Sequence, residues 1–492
     1  MPATTDPLFS LGLHISLPRA RGRRKALYQQ IRDAIVESRL KPGLQLPASR
    51  ILAKHLGISR NSVVAVYDLL LSEGYILARK GSGSFVAPKP GKSAGRSPRS
   101  DPRIVRRLAP IWRDAVPTLS ACLPQFSLRL GVPDESLFPH DIWQRLVSRA
   151  TRHVFRAAGG YGDPFGAPAL RNAIAVHTSR TRAVACNAED IVVTNGAQQA
   201  FDLLARILVE PGRTVVAVEE PGYRPLRDVF AAMGAIIYSV RVDQEGLVVD
   251  EIPREAGIVC VTPSHQFPLG VVMSAHRRLS LLARAEASNA VIVEDDYDGE
   301  FRYHSRPLDA LQTLDRRARV FYVGTFSKCM SPDLRMGFVV CPPWAKNALV
   351  RAKQLGDRNS SVAKQEALAA FITEGHLVRH IRRMRTIYAG RRRALLAALG
   401  TYCGDHLEPF PAMAGLHIAT RLRLKADTEE IVRRAAAAGV GVRSIAEFAT
   451  GQETPAGFVF GFGAAAEPKI ETDIKRLGRI LQLVNSENAT TS

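Results

Sequence analysis

The sequence predicts an α/β protein in which a small winged helix-turn-helix unit precedes a larger unit built on a mostly parallel sheet. Residues 20–87 have the periodicity of three short helices followed by a hairpin, residues 88–121 are rich in Pro, Ser, Gly and Arg, and residues 122–486 alternate apolar strand-length runs with helical segments. Because a chain of 492 residues is too long for one ordinary hydrophobic core, we expect two domains joined by a basic linker with these boundaries.

The first two helices are predicted by apolar spacing and by the residues that end them. Leu27 and Ile31 recur at helical spacing, and we expect Pro42 and the glycine after it to stop this helix. A second short helix is expected to begin at Ser49 and to end at Gly57. These two segments form the first part of a helix-turn-helix.

The third helix is the candidate recognition helix. Ser59 is a favourable N-cap, and Val63 and Val66 line one face, which leaves Arg60 and Asn61 at the exposed start. In a helix-turn-helix this end of the recognition helix enters the major groove, where such side chains reach base edges.

A two-stranded hairpin with a basic tip is expected to follow. Tyr75–Leu77 and Phe85-Val86 are strand-like, and Arg79-Lys80 precede the glycine turn that begins at Gly81. This wing is expected to reach a neighbouring groove or the DNA backbone. The DNA-binding residues predicted for the whole unit are Ser49, Arg50, Ser59, Arg60, Asn61, Ser62, Arg79, Lys80 and Gly81.

The distribution of charge agrees with a DNA-binding N-terminal unit. Residues 1–120 contain 21 Lys and Arg against 7 Asp and Glu, a net charge of +14 out of +21 for the whole chain. Concentrated positive charge is what a phosphate-binding module needs, although a solvated basic face is the alternative interpretation of charge alone.

The stretch LKPGLQLPASRILAKHLGISRNSVVAVYDLLLSEGYILARKGSGSFV, residues 40–86, resembles the GntR family of winged-helix regulators. The resemblance implies that the partner of this unit is double-stranded operator DNA. A three-helix domain used for protein contacts remains the alternative. In the linker, residues 104–112 have the composition of a short helical turn whose arginines are also candidates for DNA contact.

The cysteines and the N-terminus predict the compartment. The six cysteines are scattered with no C-x-x-C spacing, so neither a disulfide framework nor a metal site is expected. No apolar signal core begins the chain and no run is long enough to span a membrane. We expect a cytoplasmic protein with no membrane partner.

The larger unit is expected to contain a largely parallel sheet covered on both faces. Its apolar runs are IVVTNG, TVVAVEEPGY, GIVCVTPSHQ, AVIVEDDYDG, VFYVGTFSK and MGFVVC, and helical segments lie between most of them. Ligands bind at the carboxyl ends of the strands in such sheets. The candidate functional residues all follow one of these runs.

Lys328, which follows VFYVGTFS, is the candidate reactive residue, and the residues expected around it suggest a cofactor. The glycine at 196 opens a helix after strand IVVTN and offers free backbone amides to a phosphate. Asp295 ends another strand, where its carboxylate can pair with a protonated ring nitrogen, and Tyr223 supplies an aromatic face. Further donors and amides for the phosphate are Gly196, Ala197, Gln198, Thr325, Ser327 and Arg335. This set predicts a pyridoxal phosphate site.

The segments YGDPFGAPALRNAIA, TNGAQQAFDLL, VEEPGY, TPSHQFPLG, EDDYDGEF and SKCMSPDLRMGFV resemble fold-type I aminotransferases, which implies a smaller C-terminal α+β subdomain. The resemblance implies that Lys328 forms the Schiff base and is the catalytic residue, that Asp295 partners the pyridine nitrogen and that Tyr297 contacts the ring hydroxyl. Tyr223 matches the residue against the ring, and the matched phosphate binders are Gly196, Ala197, Ser327 and Arg335. Tyr161 matches the tyrosine that reaches the phosphate of the neighbouring subunit, which implies a homodimer.

A GntR-type winged helix followed by such a domain is the layout of the MocR subfamily, which the chain resembles. Two departures from aminotransferases are expected to weaken catalysis. Phe267 stands where an asparagine is common, beside His265 and Gln266. Gly457 stands at the approximate place of the arginine that clamps a substrate carboxylate, and residues 445–468 contain no arginine, so Arg224 or Arg227 are the candidate substitutes.

Three functions are compatible with this sequence. The leading one is a transcriptional regulator that senses an amine or amino acid, which displaces Lys328 from the cofactor, or senses pyridoxal phosphate itself. The second is a working aminotransferase with a DNA-binding appendage. The third is a cofactor-free dimerisation platform. The absence of the arginine clamp favours regulation over turnover.

Overall fold

The computed structural model describes residues 22–79, 82–88, 110–113, 128–156, 160–303, 309–451 and 454–491. The chain divides into two compact units, Met1–Val116 and Pro117–Ser492. Lys80, Gly81 and most of the predicted linker, including its first helical residues, lie outside the described residues; a short helix spans Pro110–Arg113. Among the described residues, no helix has both the length and the apolar character needed to cross a bilayer.

The N-terminal unit is a winged helix-turn-helix, as predicted. Its helices and strands are α1 (Arg23–Val36), α2 (Ser49–Leu56), α3 (Arg60–Ser72), β1 (Ile76–Arg79) and β2 (Gly83–Val86). The strands pair antiparallel, and the predicted apolar faces of the helices form one buried core with the hairpin.

The ends of these helices confirm two predictions and correct one. Gly57 closes α2 with a left-handed φ of 61°, and the Ser59 side chain accepts a hydrogen bond from the Ser62 amide at 3.2 Å. The expectation that Pro42 stops α1 was wrong, because α1 ends earlier, at Val36. Ser38 takes a left-handed φ of 63°, and the amide two residues later bonds back to the helix, so the chain has turned before the proline.

The first part of the larger unit contains the eight strands of the main sheet and the helices that alternate with them. In chain order its elements are α5 (His140–Arg156), α6 (Pro168–Arg182), β3 (Ile191–Thr194), α7 (Ala197–Leu208), β4 (Val215–Glu220), α8 (Arg224–Ala232), β5 (Ile236–Asp243), β6 (Gly246–Leu247), β7 (Ala256–Val261), α9 (Ala275–Ala287), β8 (Val291–Asp296), α10 (Leu311–Leu314), β9 (Val320–Thr325) and β10 (Gly337–Val340). The short helix Pro110–Arg113, which precedes these elements, is α4.

The main sheet has eight strands in the order β3-β10-β9-β8-β7-β4-β5-β6. Strands β9, β8, β7, β4 and β5 are mutually parallel, whereas β10 is antiparallel to both of its neighbours and β6 is antiparallel to β5. The mostly parallel sheet is therefore confirmed. Because β10 reverses between β3 and β9, these two strands point the same way, and the carboxyl ends of β3, β9, β8 and β4 share one edge.

A smaller sheet with helices completes the unit. Its elements are α11 (Lys346–Gly356), α12 (Val362–Thr373), α13 (His376–Cys403), β11 (Leu407–Pro409), β12 (His417–Leu422), α14 (Thr428–Ala437), β13 (Arg443–Ser444), β14 (Gly457–Gly461) and α15 (Glu467–Thr491). The antiparallel order is β11-β12-β14-β13. Leu377, Ile381, Met384 and Tyr388 give α13 the apolar stripe by which it joins the core around this sheet.

Candidate functional site

The start of α3 divides into capping residues and exposed residues. Ser59 and Ser62 are engaged with each other, since their hydroxyls lie 2.9 Å apart in addition to the cap bond. Arg60 and Asn61, the next residues of the first turn, are exposed. At the start of α2, Ser49 is half-buried and Arg50 is exposed. The side chains that remain available to a groove or a phosphate are therefore the arginines and the asparagine.

The wing is stiffened by contacts that sequence reasoning missed. Arg79 is exposed and its guanidinium lies 4.8 Å from the centroid of the Phe85 ring. The Gln45 side chain donates to the Ser82 carbonyl at 2.6 Å, and the Leu46 amide donates to the Ser84 carbonyl at 2.8 Å. The segment before α2 thus supports the wing from one side, a pairing that no local pattern announces.

In the larger unit a cavity of about 350 Å³ opens at the shared carboxyl edge of the main sheet. Nine of the eleven predicted cofactor residues line it: Lys328, Asp295, Tyr297, Tyr223, Ala197, Gln198, Thr325, Ser327 and Arg335. Phe267, which the sequence comparison set at the place of an asparagine, also lines it, and the lining residues that were not predicted are Gly131, Pro225, Asp298, Pro332, Leu416 and His417. The fold thus brings together residues that lie more than a hundred positions apart.

Lys328 has no carboxylate partner in this cavity among the described residues. Its Nζ donates to the carbonyl oxygen of Gly131 at 2.8 Å. Burial lowers the pKa of Lys328, and the charges of Asp298 and Asp295 oppose that effect. Gly131 has φ of 68°, which favours glycine, and a Cβ at this position would lie 2.9 Å from Nζ, so a larger residue would require the lysine side chain to shift.

Asp295 fits the role of partner to a cationic ring nitrogen. The residue is 4% exposed, and its Oδ1 has no hydrogen-bond partner among the described residues. Burial, followed by the neighbouring charges of Asp296 and Asp298, raises the pKa of Asp295 well above its usual value. A protonated pyridine nitrogen supplies both the missing donor and the missing positive charge, so the residues present fit pyridoxal phosphate.

The end of the cavity at which the sequence predicts the phosphate is formed by the α7 N-terminus and the turn after β9. The Arg335 guanidinium donates to the Asn195 carbonyl at 3.0 Å and lies against Gly196, where a Cβ would be 3.2 Å from Cζ of the arginine. Thr325 Oγ1 donates to Ser327 Oγ at 3.1 Å. The first amides of α7 have no acceptors within their own helix. Hydroxyls, helix N-terminal amides and one guanidinium therefore line the end of the cavity where the sequence predicts the phosphate.

A buried network behind this end was not anticipated. Asp357 accepts from Asn195 and from Gln199, both at 2.8 Å. The same carboxylate is paired with Lys353, which is fully buried and donates to both carboxylate oxygens at 2.8 and 2.9 Å. The backbone that precedes the phosphate position is thus fixed by an ion pair at the end of α11.

Phe267 occupies the centre of an aromatic wall. Its ring makes edge contacts with Tyr223, Tyr297, His417 and Phe448, at centroid distances of 5.8, 6.2, 5.5 and 4.9 Å. This arrangement replaces the amide expected from aminotransferases with an apolar surface. Burial raises the pKa of Tyr223 to about 12, so its hydroxyl stays protonated.

His265 and Gln266 have structural partners. His265 Nδ1 lies 3.0 Å from Asp298 Oδ2 and 3.0 Å from the Tyr297 hydroxyl, which fixes the phenol predicted to contact the ring hydroxyl. The Gln266 side chain donates to the Pro221 carbonyl at 2.8 Å and holds the loop in place. Asp298 and His417 were missed because each becomes part of the cavity only through the fold.

Three residues considered in the sequence lie away from this cavity. Tyr161 is 76% exposed and stacks under the Arg358 guanidinium at 4.5 Å, in a separate pocket. Arg224 and Arg227 line a different pocket, on the other side of Tyr223, and Arg224 donates to the Glu447 carbonyl at 3.2 Å. Neither arginine lines the Lys328 cavity, so the suggestion that one of them clamps a carboxylate there gains no support from the structure.

Comparison with known families agrees with the division into two functions. Residues 23–86 match the model for bacterial regulatory proteins of the gntR family. Residues 133–456 match the model for aminotransferase class I and II. The second match covers more than half of the chain, so the larger unit belongs to that family.

Full-length relatives have the same layout. The probable rhizopine catabolism regulatory protein MocR of Rhizobium meliloti is 36% identical over 454 residues, which is 90% of this chain and 90% of that protein. The HTH-type pyridoxine biosynthesis transcriptional regulator PdxR of Corynebacterium glutamicum is 32% identical over 442 residues, or 90% of this chain and 92% of that protein.

Solved enzymes resemble the larger unit. Kynurenine aminotransferase of Pyrococcus horikoshii, solved in complex with PMP, superposes with a TM-score of 0.69 at 27% identity, covering 78% of this chain and 96% of its own. The larger unit is accordingly a pyridoxal phosphate domain of the aminotransferase type. Together with its N-terminal unit, the chain belongs to the MocR-type GntR family of DNA-binding transcriptional regulators.

Proposed function

We propose that this regulator senses a primary amine, an amino acid or pyridoxal phosphate itself at the Lys328 cavity and that occupancy of the cavity alters its binding to operator DNA. One observation carries the proposal. Lys328 and Asp295 share a cavity in which the lysine bonds only a neutral carbonyl and one carboxylate oxygen of Asp295 has no partner among the described residues. Both groups are poised for a ligand that supplies the missing partners.

When bound, pyridoxal phosphate supplies an aldehyde carbon that condenses reversibly with primary amines. Lys328 presents its amine to that carbon, and because burial lowers its pKa, more of the amine is in the nucleophilic neutral form. Asp295 holds a proton on the ring nitrogen. Arg335 and the α7 amides bind the phosphate, while Tyr223 covers one face of the ring and excludes water there.

In the N-terminal unit, we propose that Arg60 and Asn61 read base edges. We propose that Arg50, Arg79 and Lys80, which lies outside the described residues, contact phosphates. The exposure of the described residues at the start of α2, the start of α3 and the wing supports this division.

We further propose a homodimer in which Tyr161 of a second copy completes the phosphate site. Tyr161 is too exposed to have a core role, and Arg358, which covers its ring, directly follows the Asp357 that fixes the phosphate end. A Tyr161→Phe variant is expected to bind the cofactor more weakly without losing the dimer, which absorbance titration and analytical ultracentrifugation measure.

Operator titrations test the central proposal. Wild type, Lys328→Ala and the exposed control Lys364→Ala are compared with and without cofactor and amines. Wild type and control are expected to change operator affinity by about 1–3 kcal/mol on loading, and operator DNA must change ligand affinity by the same factor. Lys328→Ala is expected to bind DNA and to lose this response. Identical titrations for all three proteins in every state would contradict the proposal.

The rival functions give different results in the same samples. Steady-state turnover of an amino donor with a keto acid would favour an aminotransferase. A wild-type protein without a visible band sensitive to borohydride would favour a cofactor-free platform.

A further inference from the structure

The lining of the Lys328 cavity has an unequal distribution of charge. Among its described residues the cations are Lys328 and Arg335 and the anions are Asp295 and Asp298. Under the proposed function the cofactor engages the first three: its phosphate meets Arg335, its aldehyde meets Lys328 and its ring nitrogen meets Asp295. Asp298 is the remaining charged residue of this described lining, and it faces any effector that enters the cavity.

Asp298 lies between two histidines, His265 and His417. It is 2% exposed, and among the described residues its side-chain hydrogen-bond donor is His265 Nδ1. His417, the next polar group of the wall, is held neutral because burial lowers its pKa to about 3. Since the Nε2 of His417 must donate to the Pro268 carbonyl at 3.0 Å, its Nδ1 is left as an acceptor.

A third acceptor becomes available when the cofactor is bound. The Gly131 carbonyl receives its hydrogen bond from Lys328 Nζ at 2.8 Å. Once Lys328 turns to the cofactor, this half-buried oxygen needs another donor. Asp298, His417 and Gly131 therefore all favour an incoming molecule that donates hydrogen bonds.

Among the described residues that line the cavity, those from the smaller sheet and its neighbouring loop, Leu416 and His417, carry no positive side chain for a carboxylate. Val459 of β14 belongs to the apolar cluster against which Phe267 packs. Gly457, the approximate position of the expected arginine, cannot carry any side chain, because a Cβ would lie 1.9 Å from the Thr420 carbonyl oxygen. The clamp is thus excluded at this position by backbone packing as well as by sequence. A carboxylate in this part of the cavity would face Asp298 without a compensating cation from the described lining.

We infer that the effector is a primary amine whose other polar groups are hydroxyls or a second ammonium, and that it has no carboxylate. The inference rests on the proposed amine sensing at Lys328. The effector's hydroxyl or ammonium groups pair with the acceptors of Asp298, His417 and Gly131, and its carbon skeleton packs on the aromatic wall around Phe267.

Matched amines test this selectivity on the full-length, cofactor-loaded protein. Visible-absorbance titrations compare serinol with L-serine and putrescine with γ-aminobutyrate, pairs that differ in a carboxylate. The carboxylate-free member of at least one pair is expected to half-saturate at a concentration at least about tenfold lower. The inference is overturned if both amino acids half-saturate at concentrations equal to or lower than those of their carboxylate-free partners. A cation supplied by a partner subunit would give that result. Amine sensing at Lys328 would remain intact. A loaded protein that responds to none of the four overturns amine sensing itself.

Asp298→Asn tests the assigned residue, and Asp333→Asn, an exposed aspartate that follows the lining residue Pro332, is the matched control. Titrations are normalised to the cofactor-loaded fraction, and circular dichroism checks folding. Asp298→Asn is expected to reduce the preference for the carboxylate-free member at least about threefold, while the control keeps the wild-type preference. If folded Asp298→Asn keeps the full wild-type preference for the carboxylate-free amine, the role assigned to this carboxylate is overturned. If that variant does not fold, the wild-type comparison of matched amines decides the inference.

Discussion

The two units of this regulator place their charges in opposite environments. In the N-terminal unit the candidate functional side chains, such as Arg60 and Arg79, are exposed. Water and salt screen their charges in the free protein. In the larger unit Asp295 and Asp296 are buried, where burial itself shifts ionisation and an unpaired group is costly. The first unit can exchange its charged residues at little cost in stability, whereas the second cannot.

The difference is consistent with the buried ion pair that lies behind the cavity of the larger unit. Arg182, at the end of α6, pairs with Asp296 and donates to Ser264 Oγ at 2.6 Å, while Tyr322 donates to the same aspartate at 2.7 Å. These partners hold the strand end that presents Asp295. We therefore expect stability and ligand binding to be coupled in the larger unit and largely separate in the smaller one.

The largest effect is expected from breaking that pair. Arg182→Ala leaves Asp296 buried without its cation and is expected to destabilise the larger unit by about 3–5 kcal/mol, with loss of cofactor. Denaturant unfolding followed by far-UV circular dichroism measures it. Arg180→Ala, an exposed arginine on the same helix, is the control and should change stability by less than about 0.5 kcal/mol. Similar losses in the two variants would show that the burial argument is wrong.

A smaller, pH-dependent effect is expected at a buried histidine. Burial lowers the pKa of His177 to about 4 from 6.5, so the unfolded chain binds this proton first and the histidine costs stability as pH falls below 6.5. His177→Gln should therefore gain about 2 kcal/mol relative to wild type between pH 7 and pH 5. Urea unfolding at both pH values measures the gain. The exposed His276→Gln should show none, and a pH-independent difference for His177→Gln would refute the prediction.

For the DNA-binding unit, Arg60→Ala is expected to cost about 1–3 kcal/mol on a specific operator and to relax preference at one base pair. Fluorescence anisotropy with operator and random duplexes measures both changes. The larger unit should keep its stability and its cofactor. Equal losses on operator and random DNA would mean that Arg60 contacts phosphate and does not read a base.

The smallest effect is expected from the cap of α3. Ser59→Ala removes the acceptor for the Ser62 amide and should destabilise the N-terminal unit by about 1 kcal/mol. Thermal unfolding of the full chain measures the loss. Ser72→Ala, whose hydroxyl bonds the Leu69 carbonyl of its own helix, is the control and should have a smaller effect. Equal effects of the two serines would contradict the capping role.

The sequence by itself determined the local features of both units. The cap at Ser59, the left-handed end at Gly57 and the strands that lead to Asp295 and Lys328 follow from residues a few positions apart, where helix and strand periodicities act. The end of α1 was mispredicted because a left-handed turn at Ser38 acts before Pro42 can, and such a φ at a serine has no strong local signal.

Only the tertiary structure decided what surrounds the lysine. The Lys328–Gly131 contact joins residues 197 positions apart. The segment before α5 lies against β14, where the Gly461 amide donates to the Leu128 carbonyl at 3.3 Å. The same folding places Asp298 beside His417 and leaves Tyr161 in a separate pocket. Periodicity states which face of a segment is buried, but the partner across a cavity depends on how distant segments are ordered in space. That is why the sequence predicted a cofactor site while only the fold shows that Asp298 and His417 line it.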